Sequence, residues 1–465
     1  MKKSAQMTAV FVVLSLVLSG CGQLTGQSGN SAQSSGNSVK TSTTNQQTGS
    51  RSSASAGSGG SRVTSGQTGS SGKKDGSTPG KPSTSVHVSV PVAFSGLNAS
   101  TLTSVWFAPP AGTAASTTGL STTTSTTTST TANSTTNSTT NSTTTVASAN
   151  ASGGQIGYVT DANHVYRTGD GGKTWQIVAT VTGSLVGVTS DEVQAGDGVT
   201  VAWTTSGLWV STNGINFTQA NLQLPSAGLT QVSVAGGVVW LLDGGTLYRY
   251  INGKLQPLSS AAIGQVTAIT AVDANTCYVV AASTAVYETT DGGSNWQQLF
   301  WPPLNAQLPW QTQIEVSGSH IAVLYAGGDS GVGQSAYIAV ESNNGGTTWS
   351  PLFDNQTFTG DYGHPTPLVQ QNLGSTALLF ALQSNGNVVF VGTGSSAPRW
   401  TVVTPQGTVQ NTFSMTAGSG VVWPDMTTAT MFASGGEQVV LVGGASSRGV
   451  IDLSPTSGGT WDSLS

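Results

Sequence analysis

The sequence predicts an all-β protein built from about seven short antiparallel sheets, and three observations support this. The first is a turn motif that recurs along the chain. Thr168-Gly169-Asp170-Gly171-Gly172-Lys173-Thr174-Trp175 returns as Thr289-Thr290-Asp291-Gly292-Gly293-Ser294-Asn295-Trp296 and, with Asn for Asp, as Ser342-Asn343-Asn344-Gly345-Gly346-Thr347-Thr348-Trp349. A worn copy runs from Ser211 through Asn213 to Phe217, and a further copy from Ser454 to Trp461. The second observation is alternation on either side of the motif, as in His164-Val165-Tyr166-Arg167 before it and Trp175-Gln176-Ile177-Val178 after it, which marks a hairpin. The third is spacing. The residues taken to end the turns, Trp175, Phe217, Leu255, Trp296, Trp349, Trp400 and Trp461, lie 42, 38, 41, 53, 51 and 61 residues apart. A period of about 40–50 residues with four strands per unit predicts blades of a β-propeller, each needing its neighbours to bury both faces. Seven markers predict seven blades, and the weaker third, sixth and seventh leave a range of six to eight.

Within each turn the short Asp or Asn side chain can accept turn N–H groups, the glycines can take positive φ, and the aromatic residue opens the outgoing strand. These residues resemble the Asp-box, or BNR, repeat (Ser/Thr-x-Asp-x-Gly-x-x-Trp) of β-propellers. The resemblance implies structural roles for Asp170, Gly172 and Trp175, for Asn213 and Phe217, for Asp291, Gly293 and Trp296, and for Asn344, Gly346 and Trp349. The repeat occurs in sialidases, other glycoside hydrolases, sorting receptors and photosystem assembly factors, so it implies a fold more sharply than an activity.

Charge is sparse and unevenly placed. Only 7% of the 465 residues are charged and 61 are Gly. From 154 onward six bases face eighteen acids, a net −12, whereas 22–153 carry six bases and one acid, Asp75. An acidic head with so few cations excludes nucleic acid as a partner, since phosphate neutralisation drives that binding. Sparse charge also suits an acidic habitat, with the expectation that the head stays folded near about pH 3, where carboxylates neutralise.

Taken in order, the chain begins with Lys2 and Lys3, an apolar run from Ala9 to Leu18, and Leu18-Ser19-Gly20-Cys21. This describes an export signal too short to span a bilayer. The last four residues resemble a bacterial lipobox, which implies cleavage before Cys21, diacylation of its thiol and anchoring to the outer face of a bacterial cytoplasmic membrane, or to an outer membrane. Residues 22–85 are Ser, Gly, Thr, Gln and Asn, too poor in apolar side chains to order, and form a tether reaching roughly 40–50 Å. Residues 86–110 hold two strand-like runs, Val88–Phe94 and Leu102–Phe107, assigned to the first blade. The Thr-rich tract 111–153 then becomes an insertion between two strands of that blade; the alternative is two stalk segments with a sticky patch between them. Its sequons at Asn133, Asn137 and Asn141 are set aside because the lipobox is bacterial, leaving a solvated spacer. Residues 154–465 form the propeller proper.

The chemistry-bearing residues are few. The sialidase family binds its substrate carboxylate with three arginines, one in an Arg-Ile-Pro motif; no such motif occurs and the head has four arginines in all. A glycosidase needs two carboxylates about 5–10 Å apart, a weak signal among eighteen acids. His87, His164, His320 and His364 are dispersed, without metal-ligand spacing, and no cofactor motif is present. Cys277 lies in an apolar strand as an inert thiol. The expected site lies on the propeller face opposite the repeated turns, where three long loops gather around blade 5. They run from Trp301 to Trp310, from Gly327 through Asp329 to Gly333, and from Asp354 through Asp361 and Tyr362 to His364. Long loops on a rigid scaffold carry function, and exposed aromatics beside acids suit sugar rings or a protein partner. The expectation is a lipid-anchored, non-catalytic binding or scaffold module for a protein or cell-envelope glycan. A glycoside hydrolase and a membrane-complex assembly factor are the alternatives. A carboxylate pair facing one cleft with a raised pKa favours the enzyme.

Overall fold

The computed structural model describes residues 87–88, 97, 101–109 and 155–464, apart from 193, 226–227, 261, 283, 302–310, 330–334, 355–377, 393–397, 416–420, 427–428 and 446–447. Cys21, the tether and the Thr-rich tract lie outside the described residues. The described residues form strands and turns, arranged in seven sheets of four consecutive antiparallel strands. Blade 1 is Ser104–Phe107, Gly157–Thr160, His164–Thr168 and Gln176–Thr180. Blade 2 runs from Leu185–Ser190 to Thr218–Gln219, blade 3 from Leu229–Ala235 to Lys254–Pro257, and blade 4 from Val266–Ala271 to Gln297–Phe300. Blade 5 runs from Gln311–Ser317 to Ser350–Asp354, blade 6 from Leu378–Leu382 to Val409–Ser414, and blade 7 from Thr430–Gly435 to Thr460–Leu464. The first strand of each blade packs against the first strand of the next, and that of blade 7 against that of blade 1, so the ring closes.

Burial follows from this arrangement. First and second strands such as Leu185–Ser190 and Thr200–Thr204 are buried throughout, while the outermost strand of blade 1, Gln176–Thr180, is largely exposed. Apolar residues on both faces of the inner strands fill clusters between successive blades, with Trp106, Trp203, Trp240, Trp400 and Trp461 fully buried. Each first strand leaves an edge without a strand partner, and buried N–H groups must still be satisfied. Polar side chains from the preceding blade do this. Ser104 Oγ accepts Val188 N–H at 3.2 Å, Gln231 Oε1 accepts Ile269 N–H at 2.9 Å, and Ser233 Oγ accepts Ala271 N–H at 2.9 Å.

Three expectations are corrected. Trp400 does not end a turn: it sits in the third strand of blade 6 opposite Val391, and that blade's outer turn is the unrelated Thr404–Thr408. Its size and apolar surroundings made it resemble a turn marker. The strand at Ser104–Phe107 opens blade 1 and pairs with Gly157–Thr160, but His87–Val88 joins blade 7, in parallel with Thr460 and Trp461. Gly327–Asp329 extend the strand His320–Asp329 and are not loop; a register shift between Gly327 and Asp329 keeps them paired to Ala336 and Ser335.

Candidate functional site: the two ends of the ring

In an antiparallel meander the first and third turns of a blade emerge at one end, and the second turn and the connection to the next blade at the other. The repeated turns all join third to fourth strands, so they share one face, the turn face. Their hydrogen bonds show why the sequence repeats. Thr168, Thr289, Ser342 and Ser454 each accept, through their hydroxyl, the N–H four residues on, from Gly172, Gly293, Gly346 and Gly458, at 3.0, 2.9, 2.9 and 2.6 Å. Asp170, Asp291 and Asn344 each accept the N–H of residues 174, 295 and 348 at 2.9 Å. In the shortened copy Asn213 accepts from Ile215 and Asn216 at 3.1 and 2.8 Å. Trp175, Trp349 and Trp461 close the loop by donating their indole N–H to the Gly172, Gly346 and Gly458 carbonyls. Trp296 makes no such bond. Phe217 has no donor and packs half-buried beside the first core cluster. Gly171 and Gly172 take φ of 75° and 94°, which a Cβ would strain. Blade 3 replaces the motif with a two-residue turn, Asn252 (φ 51°) and Gly253 (φ 77°), which matches strand twist.

These donors hold the Asp291 carboxyl down at about 2, through the Asn295 backbone and side chain first, and they lower Asp170 against the opposing effect of its burial. Both carboxylates are therefore committed to their own turns.

The turn face also carries contacts that sequence reading missed. A large donor from one blade reaches the carbonyl of the fourth motif residue in the next. Tyr158 Oη donates to Gly214 O at 3.2 Å, Arg249 to Gly292 O at 3.2 Å, and Trp400 Nε1 to Ser457 O at 3.1 Å. Arg249 also donates to Ala274 O at 2.7 Å and lies 4.9 Å from the centre of the Trp240 ring. Between blades 1 and 2, Arg167 and Glu192 form a buried ion pair at 3.3 Å. Glu192 further accepts Tyr158 Oη and Gly196 N–H, the latter at 2.6 Å. Burial first, then the Glu192 charge, pushes the Tyr158 phenol up; burial alone would weaken the Arg167 cation, and its two partners more than offset that. The sequence signal for these staples was cross-strand pairing of a large donor, as in Tyr158 opposite Arg167 and Trp240 opposite Arg249, but only known register reveals it.

On the opposite end, the loop face, Trp301 directly follows the last strand of blade 4 and is 61% exposed, the most exposed of the large apolar side chains among the described residues. Trp310, Asp361, Tyr362 and His364 lie outside the described residues, and Asp329 is described only in its backbone. The same face carries a group that sequence reading had dismissed as a dispersed histidine. In the second turn of blade 1, His164 Nδ1 lies 3.0 Å from Asp161 Oδ2, and Tyr166 Oη donates to the same oxygen at 2.9 Å. A carboxylate cannot donate, so Nδ1 carries the proton. Asp161 also accepts the N–H of Asn163 and His164. Burial acts against the Asp161 carboxylate, and these bonds together outweigh it, so its pKa is lowered.

Glu315 opposes Ala322, and Ala322 opposes Glu341, so two carboxyls leave blade 5 on one face, two strands apart. Burial pushes Glu315 up to about 8 and Glu341 to about 7, against the weaker pull of Leu382 N–H and of Asn343. Both are buried, and Glu315 Oε2 accepts Leu382 N–H of blade 6 at 2.5 Å. Asp452 of blade 7 is also pushed up to about 8 by burial. Ser463 opposite it pulls the other way. Cys277 is fully buried and burial pushes its thiol up, far from thiolate character at neutral pH. Among the described residues no cluster of three or more His, Cys, Asp or Glu exists.

No protein-family model matches the chain, and no curated protein matches its sequence. Among solved structures it is similar to YCF48 bound to D1 peptide, with TM-score 0.38 and 17% identity over 57% of this chain and 78% of that one. It is similar to YCF48 from Cyanidioschyzon merolae at TM-score 0.37 and 14% identity, over 57% and 80% of the two chains. It is also similar to the GH74 xyloglucanase from Xanthomonas campestris at TM-score 0.28 and 13% identity, over 66% and 62%. These neighbours are β-propellers, as this chain is. They include an enzyme and a peptide-bound protein.

Proposed function

We propose that the chain is a non-catalytic binding or scaffold module, carried outside a bacterial cell on a lipid attached to Cys21, that engages a protein or cell-envelope glycan with its loop face. The observation that carries this reading is the contrast between the chain's carboxyls and its aromatics. Among the described acids, those with raised pKa are sealed between blades and those with lowered pKa are consumed by turns, whereas Trp301 stands exposed on the loop face. An exposed indole stacks on sugar rings and anchors protein contacts, and aromatic anchors dominate interface energies. The tether supplies reach from the membrane, and the acidic head favours neutral or cationic ligands over anionic polymers.

The test is binding of the full chain to an array of bacterial cell-wall polysaccharides, with intact cells as a crosslinking target for proteins. Trp301→Ala is expected to weaken whichever interaction is found by about 2 kcal/mol, some thirtyfold, with unchanged unfolding temperature. Retention of full affinity in that variant contradicts the assignment of the loop face.

A further inference from the structure

Blade 6 differs from the other blades in what flanks it. On one side stand Glu315 and Glu341, in one row of blade 5 with only Ala322 between them, about 10 Å apart by strand spacing. The 2.5 Å bond from Leu382 N–H to Glu315 shows that this row faces blade 6. On the other side stands Asp452, in a row with Leu441 and Ser463. Leu441 packs with Val389, Val391, Trp400 and Val402 of blade 6, so Asp452 also leaves its sheet toward blade 6. Both Asp452 oxygens and Ser463 Oγ are buried without a hydrogen-bond partner.

Among the described residues no cation is paired with these three carboxyls. Across 378–414, blade 6 carries a single ionisable residue, Arg399, and that residue is exposed at the start of its third strand. On the blade 5 side stands His320, whose Nδ1 bonds Asn343 Oδ1 at 2.9 Å and whose ring fills the space beside Gly386. Asn343 in turn bonds Glu341 at 3.4 Å. The second strand of blade 5 also carries Tyr325, but its hydroxyl donates to Thr284 O, toward blade 4. On the blade 7 side are Asp425, Glu437, Arg448 and Asp462. The two ion pairs among the described residues, Asp161 with His164 and Arg167 with Glu192, involve none of the three acids. The contrast with blade 1 is direct. The position before the first motif residue is Arg167 there and Glu341 in blade 5; the arginine meets Glu192 across its junction, whereas the glutamate meets no cation among the described residues.

A buried carboxyl without a cation is tolerated as the neutral acid and becomes a large penalty once ionised. We propose that blade 6 is the pH-responsive element of the ring, locked between blades 5 and 7 while Glu315, Glu341 and Asp452 hold their protons and loosened when they release them. Folding raises the affinity of these groups for protons. Their contribution is therefore fully present below the ordinary carboxylate range and is lost as pH rises through about 7–8.

Hydrogen exchange of the full chain at about pH 5 and about pH 8.5, corrected for intrinsic exchange rates, tests this. The expected result is a loss of protection at the higher pH that is roughly tenfold or more greater in peptides from 378–414 and in the facing strands of blades 5 and 7 than in blades 2 to 4. Glu315→Gln, Glu341→Gln and Asp452→Asn combined are expected to abolish the difference. Protection lost evenly around the ring, or no pH effect on blade 6 in the native chain, overturns the proposal without recourse to the variant. Persistence of the effect in the folded triple variant overturns it equally.

Discussion

Arg167→Met is expected to destabilise the propeller by about 3–5 kcal/mol, because it leaves Glu192 as a buried charge without its cation. The Glu192 side chain is 1% exposed, and its remaining donors, Tyr158 Oη and Gly196 N–H, are neutral. The pair as a whole is a weaker contributor than either half is a liability, since desolvating both ions offsets most of their attraction. Arg167→Met combined with Glu192→Leu is therefore expected to recover a large part of the loss, although Tyr158 and Gly196 then lack their acceptor. Urea unfolding midpoints measure both variants, with Lys173→Met on the exposed turn as a control expected within about 0.5 kcal/mol of the parent. A loss below about 1 kcal/mol for Arg167→Met would mean that blades 1 and 2 are held by apolar packing alone.

The second large effect is on global stability against pH. Raising pH from about 5 to about 8.5 is expected to cost several kcal/mol, since each unit of pKa shift represents about 1.4 kcal/mol and three buried carboxyls contribute. The sign follows from direction. Glu315 and Asp452 rise to about 8 and Glu341 to about 7, so the folded state binds more protons than the unfolded chain between the ordinary carboxylate range and those values. Asp291 acts in the opposite sense: held at about 2, it favours the fold above the ordinary Asp range, an effect lost as pH falls through about 2. Maximum stability is thus expected on the acid side of neutrality. Denaturant unfolding across this range measures it. A maximum near or above about pH 7.5 contradicts the account, whatever hydrogen exchange reports for blade 6.

Much of the ring was legible in the sequence because its turns are local. Thr168, Asp170, Gly172 and Trp175 satisfy one another within eight residues, so the pattern that builds the turn is also the pattern that repeats. Blade 6 shows the limit of that logic. Its outer turn at Thr404–Thr408 follows other rules, and the period was carried there by Trp400, a residue chosen for its packing against Trp461 and its bond to blade 7. What could not be read is whatever depends on register between distant strands. Glu315 and Glu341 are 26 positions apart and become partners in one row only through Ala322; Tyr158 reaches Gly214 across a blade boundary. The run from Val88 to Phe94 had the alternation of a strand, but nothing local favours the first blade over the seventh, and the pairing of His87–Val88 with Thr460 and Trp461 is parallel and remote. Of the site residues, Trp301 stands exposed on the face that the strand order assigns to it.

The measurement that bears most directly on the central claim is a time course of product release from bacterial cell-wall polysaccharides incubated with the full chain, followed by mass spectrometry. The account predicts retention of intact glycan, or no binding, and no new reducing ends above the buffer control. Release of oligosaccharide that disappears in Glu315→Gln or Glu341→Gln would contradict it, and would require the junction between blades 5 and 6 to open as an active site.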